Sequence, residues 1–202
     1  MACSIGGYFW HPLVNKVAAE YTNCLLESGD VKKAVKYVEE AYSSCGIDFV
    51  DPEDVDKAEL AFYVGKIYNA DKEFEYAERA LRATLVWYER VHGVDHTLTG
   101  QCLDQLGIAL MGQNKLGDET KAVLHRALDI FLLNLGPDAQ LVGAANESLG
   151  VFYEMRGEIV QARRFFKEAL RIYTKVLGPE HPNTVNVKTN LLRVKAVISA
   201  PI

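Results

Sequence analysis

The chain has 202 residues, a formal net charge of −5 and 49% hydrophobic residues. This is enough apolar sequence for a continuous core, which argues against disorder of the whole chain. The acidic balance argues against nucleic acid as a partner, because nucleic acids need a cationic surface. The charge is uneven, since residues 1–60 carry 5 Lys or Arg against 11 Asp or Glu, whereas residues 158–198 carry 8 against 3.

The cysteines and the first residues bear on location. The four cysteines contain no Cys-x-x-Cys pair, which predicts free thiols in a reducing compartment. The first residues lack the charged and apolar segments of a signal peptide. No apolar run reaches the ~18 residues of a membrane span. We therefore expect a soluble, cytoplasmic protein without membrane insertion.

Apolar residues recur at helical spacing from residue 13 onward, after an extension predicted at 1–12. Two amphipathic runs follow each other around a break at Gly29-Asp30, which predicts a helix, a tight turn and an antiparallel helix. The first run contains Val14, Val17, Ala18, Tyr21 and Leu25, and the second contains Val31, Ala34, Val35, Val38, Ala41 and Tyr42.

Small residues recur in the same order in four successive segments. In three of them the second small residue lies 12 positions after the first and the third lies 7 further on; in the remaining one the first step is 13. Two helices that cross closely have room only for small side chains, so the pattern predicts a repeated helix pair. The triplets are Thr22/Ala34/Ala41, Gly65/Ala77/Thr84, Gly107/Thr120/Ala127 and Gly150/Ala162/Ala169.

A linker motif separates these pairs. Its strongest copy is Leu177–Thr184, and partial copies lie at Leu135–Gln140 and His92–Thr97, with their glycines 43 and 42 residues apart. A period in this range is typical of stacked repeats. His92 and His96 stand four apart, as two metal ligands on a helix can, but they lie in a linker without a third ligand. We therefore predict linker hydrogen bonds and helix capping there, with no metal and no cofactor.

The small-residue offsets, with large residues such as Tyr153 and Phe166 at fixed distances, resemble the tetratricopeptide repeat. The linker and the repeat length resemble the kinesin light chain type, without the coiled coil of kinesin light chains. The resemblance implies an all-α, right-handed solenoid of antiparallel helix pairs with a C-terminal capping helix. It implies one domain over 13–202, with repeats at about 14–48, 57–91, 99–134 and 142–176 and a cap at 184–199.

The resemblance also implies a concave groove lined by the first helix of each pair. Residues at steps of three and four along those helices share one face. Phe62, Ile108 and Met111 are the predicted exposed apolar side chains of this groove, whereas Asp104, Glu147 and Glu154 make its centre acidic. The groove candidates are Lys16, Asn23, Phe62, Lys66, Asn69, Gln101, Asp104, Ile108, Met111, Glu147, Glu154, Asn186 and Arg193.

A basic stripe is predicted on the second helix of the last pair. A solvated face is the ordinary interpretation of such a stripe. The alternative is docking to an acidic surface, such as tubulin, RNA or the acidic first repeat of another copy. The stripe consists of Arg163, Arg164, Lys167, Arg171 and Lys175.

The predicted function is that of a non-enzymatic adaptor, which binds a peptide or a partner protein in the groove. The first alternative is a structural subunit of a large assembly, including a cytoskeletal one, held by its convex face and its ends. The second alternative is a regulatory helical fragment of a larger enzyme. No nucleophile, phosphate loop or metal site favours catalysis by the chain itself.

Overall fold

The computed structural model describes residues 28, 30–37 and 55–199. This part of the chain forms helices, turns and bends, without a strand, and the predicted all-α class is confirmed. The chain divides into two compact units, Met1–Val94 and Asp95–Ile202. A single solenoid over 13–202 stays a prediction. The predicted extension at 1–12 lies outside the described residues, as does the first helix of the first pair.

The first unit contains a helical segment at 31–37 (α1), followed by α2 (Val55–Ala70) and α3 (Phe74–Val91). The short turn between α2 and α3 reverses the chain, and the two helices pack against each other. A core joins α1 to this pair, because Ala34, together with Val35, packs on residues of both helices.

The second unit contains α4 (Thr97–Gly112), α5 (Asp118–Leu135), α6 (Gln140–Met155), α7 (Ile159–Val176) and α8 (Pro182–Ser199). The helices α4 and α5 form one packed pair and α6 and α7 the next, while α8 packs on α7. The helices α5 and α6 pack between the pairs, and α4 also contacts α6. We call α2, α4, α6 and α8 the A helices, and α3, α5 and α7 the B helices.

Close helix crossing is confirmed at the predicted small residues Gly65, Gly107 and Gly150, whereas Thr22 and Ala41 of the first triplet lie outside the described residues. A Cβ atom on Gly65 would lie 2.5 Å from Cγ of Leu81, and one on Gly150 would lie 2.6 Å from Cδ1 of Phe166. Each large side chain stands four residues after the second small site of its own pair. The B helix therefore places its large side chain on the bare backbone of the A helix.

The backbone conformation of the linkers explains why glycine recurs in them. Gly93, Gly136 and Gly178 adopt φ values of 102°, 80° and 89°, a region that side-chain-bearing residues rarely occupy. The linker motif therefore ends one B helix and redirects the chain into the next A helix.

The last A helix has one buried apolar face and one exposed polar face. Val187, Leu191 and Val194 are buried, whereas Lys188 and Lys195 are exposed. The helix begins at Pro182, where the absence of a backbone N–H costs no hydrogen bond. No helix in the described ranges is both long and apolar enough to cross a membrane.

Candidate functional site

Asp104 is the most buried ionisable residue of the predicted groove. Its side chain on α4 is 7% exposed, and it accepts a hydrogen bond from the Ser148 hydroxyl on α6. Its Oδ1 atom has no hydrogen-bond partner among the described residues. Burial raises the pKa of this carboxyl to about 6. Asp104 therefore takes up its proton near pH 6, at a higher pH than an exposed aspartate does.

Glu147 connects three helices of the second unit. The Tyr173 hydroxyl on α7 donates to Oε2 over 3.2 Å, and Nδ2 of Asn186 on α8 donates to Oε1 over 2.8 Å. Burial raises the pKa of Glu147, while these two hydrogen bonds oppose the rise. The carboxylate is thus held in place by groups of the chain itself.

Glu154 on α6 and Arg193 on α8 form a bidentate ion pair. Nε and Nη2 of Arg193 lie 2.7 Å from Oε1 and Oε2 of Glu154, respectively. The hydrogen bonds to Glu154 raise the pKa of Arg193. Because Glu147 and Asn186 are also paired, four of the predicted groove residues form two polar pairs within the chain.

The prediction that Phe62 and Met111 are exposed is wrong. Phe62 is 6% exposed and Met111 is 5% exposed. The Phe62 ring packs 5.9 Å from the ring of Tyr88 on the partner helix α3, and Met111 lies at the end of a helix buried on several sides. Steps of three and four residues do not return to the same direction around a helix of 3.6 residues per turn. Side chains at the edge of the predicted face therefore point into the core.

Other groove candidates have mixed outcomes. Ile108, Gln101 and Asn69 are half-buried. The Lys66 ammonium lies 5.9 Å from the centre of the Phe62 ring, so it contacts an aromatic face. Lys16 and Asn23 lie outside the described residues.

The accessible predicted residues of the second unit lie on adjacent A helices. Together they form a row of apolar, amide and charged side chains, which is half-buried on α4 and α6 and exposed on α8. We call this row, with Val151, the A-helix face, and it consists of Gln101, Ile108, Glu147, Val151, Glu154, Asn186 and Arg193.

The basic stripe is partly used within the chain. Nη1 of Arg171 lies 2.7 Å from Oδ1 of Asp138, and the ammonium of Lys175 bonds to the other oxygen of Asp138. These two bonds, above all that of Lys175, hold the pKa of Asp138 below its usual range. Sequence reasoning missed this contact, because Asp138 lies in a linker, 33 residues before Arg171. The only signal for it in the sequence is the position of Asp138 within the linker copy Leu135–Gln140.

The remaining stripe borders a cavity of about 760 Å³ formed by α5, α6, α7 and the linker before α6. The cavity shares no residue with the A-helix face. We call it the B-helix cavity, and it is lined by Leu128, Leu132, Pro137, Val142, Asn146, Val160, Arg163, Arg164, Phe165, Lys167, Glu168 and Arg171.

The histidines have structural partners. Nδ1 of His96 accepts a hydrogen bond from the backbone N–H of Leu98 over 3.2 Å, so His96 caps α4 as predicted. His181 accepts from Asn183 N–H in the same way. Within the ranges that the structure describes, no group of three His, Cys, Asp or Glu residues is placed to hold a metal ion.

Comparisons with known proteins agree with this architecture. A family model described as "Tetratricopeptide repeat" matches residues 141–196. The Protein KINESIN LIGHT CHAIN-RELATED 2 of Arabidopsis thaliana is 29% identical over 130 residues, which is 63% of this chain. The chain spans only 19% of the length of that curated relative.

Solved structures share the fold. BtubC (BKLC) from P. vanneervenii has a TM-score of 0.71 at 16% identity, over 93% of this chain and 74% of its own. A Podosopora anserina kinesin light chain structure with nearly identical TPR-like repeats has a TM-score of 0.69 at 17% identity, over 94% and 89%. Residues 141–196 therefore match the tetratricopeptide repeat, and the chain is similar, in sequence and in fold, to proteins of the kinesin light chain type.

Proposed function

We propose that the chain is a non-enzymatic adaptor that holds a partner protein or peptide on the A-helix face. Stacked helix repeats present extended surfaces that suit protein partners. The observation that carries the proposal is that half-buried Ile108 and Val151 share the A-helix face with two polar pairs, Glu147 with Asn186 and Glu154 with Arg193. Side chains that are already held in place lose little conformational entropy when a ligand binds.

The charge of this face favours a neutral or basic ligand. Glu147 and Glu154 are countered there by Arg193 alone, since Asn186 is uncharged, and the buried Asp104 lies close enough to Glu147 to raise its pKa. An acidic peptide would approach a surface whose cation already has a partner. The ligand we expect therefore combines an apolar side chain for Ile108 and Val151 with a lysine or arginine.

Binding of a labelled peptide of lysine with interspersed leucine tests the proposal, with its glutamate counterpart as the comparison. The substitution Val151→Arg places a cation on the A-helix face and should lower the affinity for the lysine peptide by about tenfold. Leu133→Arg is the matched control, because Leu133 is 73% exposed on α5 and lies outside this face. Equal affinities of the two variants, or tighter binding of the glutamate peptide to the A-helix face, would contradict the proposal.

The second candidate function is a permanent subunit of a larger assembly. The large exposed apolar side chains on the B helices, Leu133 at 73% and Val160 at 76%, favour it. Purification of the tagged protein with measured stoichiometry separates the two functions. A constant equimolar companion supports the subunit, whereas several substoichiometric partners support the adaptor.

A further inference from the structure

The B-helix cavity combines basic and apolar side chains on a face that the adaptor proposal does not use. We propose that it is a second docking site, which takes an acidic segment of a partner protein that also carries an apolar side chain. The inference rests on the proposed function only in that the chain binds proteins, and it concerns a different surface.

The first step is the excess of cations at the cavity. Arg163, Arg164, Lys167 and Arg171 line it, against the single carboxylate of Glu168. The Glu168 carboxylate accepts a hydrogen bond from Arg171 over 2.7 Å, so its charge is already paired with that residue. Arg164 and Lys167 are exposed, and neither takes part in an ion pair among the residues that the structure describes. A carboxylate-rich ligand would find both of them available.

The second step is a hydrogen-bond donor that lacks an acceptor. Nε of Arg163 is buried and has no hydrogen-bond partner in the described part of the chain. A buried donor without an acceptor costs free energy, and a carboxylate in the cavity that Arg163 lines removes that cost once the Arg163 side chain turns towards it. The linker shows that a carboxylate can bind the cations of this helix, because Asp138 forms ion pairs with Arg171 and Lys175 next to the cavity.

The third step is the apolar part of the lining. Val160 is 76% exposed and Leu132 is 40% exposed at the cavity, where water surrounds both side chains. A volume of about 760 Å³ can hold several side chains of a ligand. An apolar side chain next to carboxylates would therefore remove this surface from water while the carboxylates meet the arginines.

The aromatic residue of the cavity favours a peptide over RNA. Sequence-tolerant binding of single-stranded RNA relies on bases that stack on free aromatic rings. Phe165 lines the cavity, but its ring stacks on Tyr153 at 5.3 Å with an interplanar angle of 3°. The apolar contacts offered to a ligand therefore come chiefly from aliphatic side chains, which suit leucine or valine of a peptide.

Fluorescence anisotropy with a labelled peptide of glutamate and interspersed leucine tests the proposal on the full chain. The comparison peptide has glutamine in place of glutamate. Lys167→Glu reverses one free cation of the cavity and should weaken binding of the glutamate peptide by about tenfold. Lys188→Glu makes the same change of charge at an exposed residue of α8 that does not line the cavity. It should alter the affinity less than about twofold.

Further outcomes decide between this site and the alternatives. Val160→Ser should weaken the glutamate peptide about threefold if the aliphatic contact contributes. Circular dichroism must show unchanged helix content in each variant. Equal loss in Lys167→Glu and Lys188→Glu, equal binding of the glutamine peptide, or tighter binding of an oligouridine would overturn the proposal. The A-helix face is tested with a lysine peptide and this cavity with a glutamate peptide, so failure here is distinguishable from failure at the A-helix face.

Discussion

Gly107 on α4 lies directly beneath the Leu124 side chain on α5, so closely that a Cβ atom on Gly107 would stand 2.7 Å from Leu124 Cγ. Leu124 is fully buried. The same relation joins Gly65 to Leu81 and Gly150 to Phe166 in the other pairs, which makes it the contact that sets the distance between A and B helices.

Gly107→Ala should lower the free energy of unfolding by about 1–3 kcal/mol, because the added methyl group overpacks the contact with Leu124. Chemical denaturation followed by circular dichroism measures the change. The control is the same substitution in a Leu124→Ala background. There the methyl group has room, and alanine's higher helix propensity should make it neutral or stabilising by up to about 1 kcal/mol. Equal losses in both backgrounds would refute the packing explanation.

Lys72→Gly should raise stability by about 0.5–1 kcal/mol, because Lys72 adopts a φ of 66° in the turn between α2 and α3. Gly157 occupies the corresponding turn after α6 with a φ of 75°. The matched comparison is Asn114→Gly, at a φ of 58°, which should gain less because asparagine tolerates this region. A loss of thermal stability in Lys72→Gly would count against backbone strain at this turn.

Asp104→Asn should stabilise the protein at alkaline pH and change little at acidic pH. The pKa of Asp104 is raised from 3.8 to about 6 in the folded state. Protonation of this carboxyl therefore contributes its full amount to the free energy of unfolding below pH 3.8, and this contribution is lost as the pH rises through about 6. The expected gain at pH ~8 is of the order of 3 kcal/mol at most.

Urea denaturation at several pH values measures this difference between wild type and Asp104→Asn. Asp71→Asn, in an exposed turn, is the control for a change of one carboxyl to an amide. A gain for Asp104→Asn that does not vary with pH would argue against titration of the buried carboxyl.

Arg193→Ala should cost less than about 1 kcal/mol, because the Arg193 side chain is 57% exposed and water screens its pair with Glu154. A double-mutant cycle with Glu154→Gln isolates the interaction between the two side chains. The coupling should shrink in high salt. A coupling of several kcal/mol, or one insensitive to salt, would mean that the pair is more deeply desolvated than its exposure indicates.

The sequence predicts the helix pairs well because their pattern is local. A helix of this kind depends on spacing over about ten residues, and the small sites at Gly65, Gly107 and Gly150 recur at fixed offsets from the large residues they contact. The same periodicity contained a further signal that was missed. Gly100 and Gly143 stand seven residues before Gly107 and Gly150, and a Cβ atom on either would meet an aromatic ring of the B helix.

The surface could not be predicted in the same way. Position on a helix face placed Phe62 and Met111 in a groove, but both are buried, because neighbouring helices decide exposure. The pairs Glu147–Asn186 and Glu154–Arg193 each span 39 residues of sequence, and the contact of Asp138 with Arg171 spans 33. No local spacing rule reaches across such distances.

By itself, the sequence determined the helical class, the repeat period, the close glycine contacts and the capping role of His96, since each depends on residues within one or two helices. Only the tertiary structure decided which charges remain available to a partner. Side chains from separate helices meet there, and whether Arg171 bonds to Asp138 while Lys167 stays exposed depends on how those helices pack.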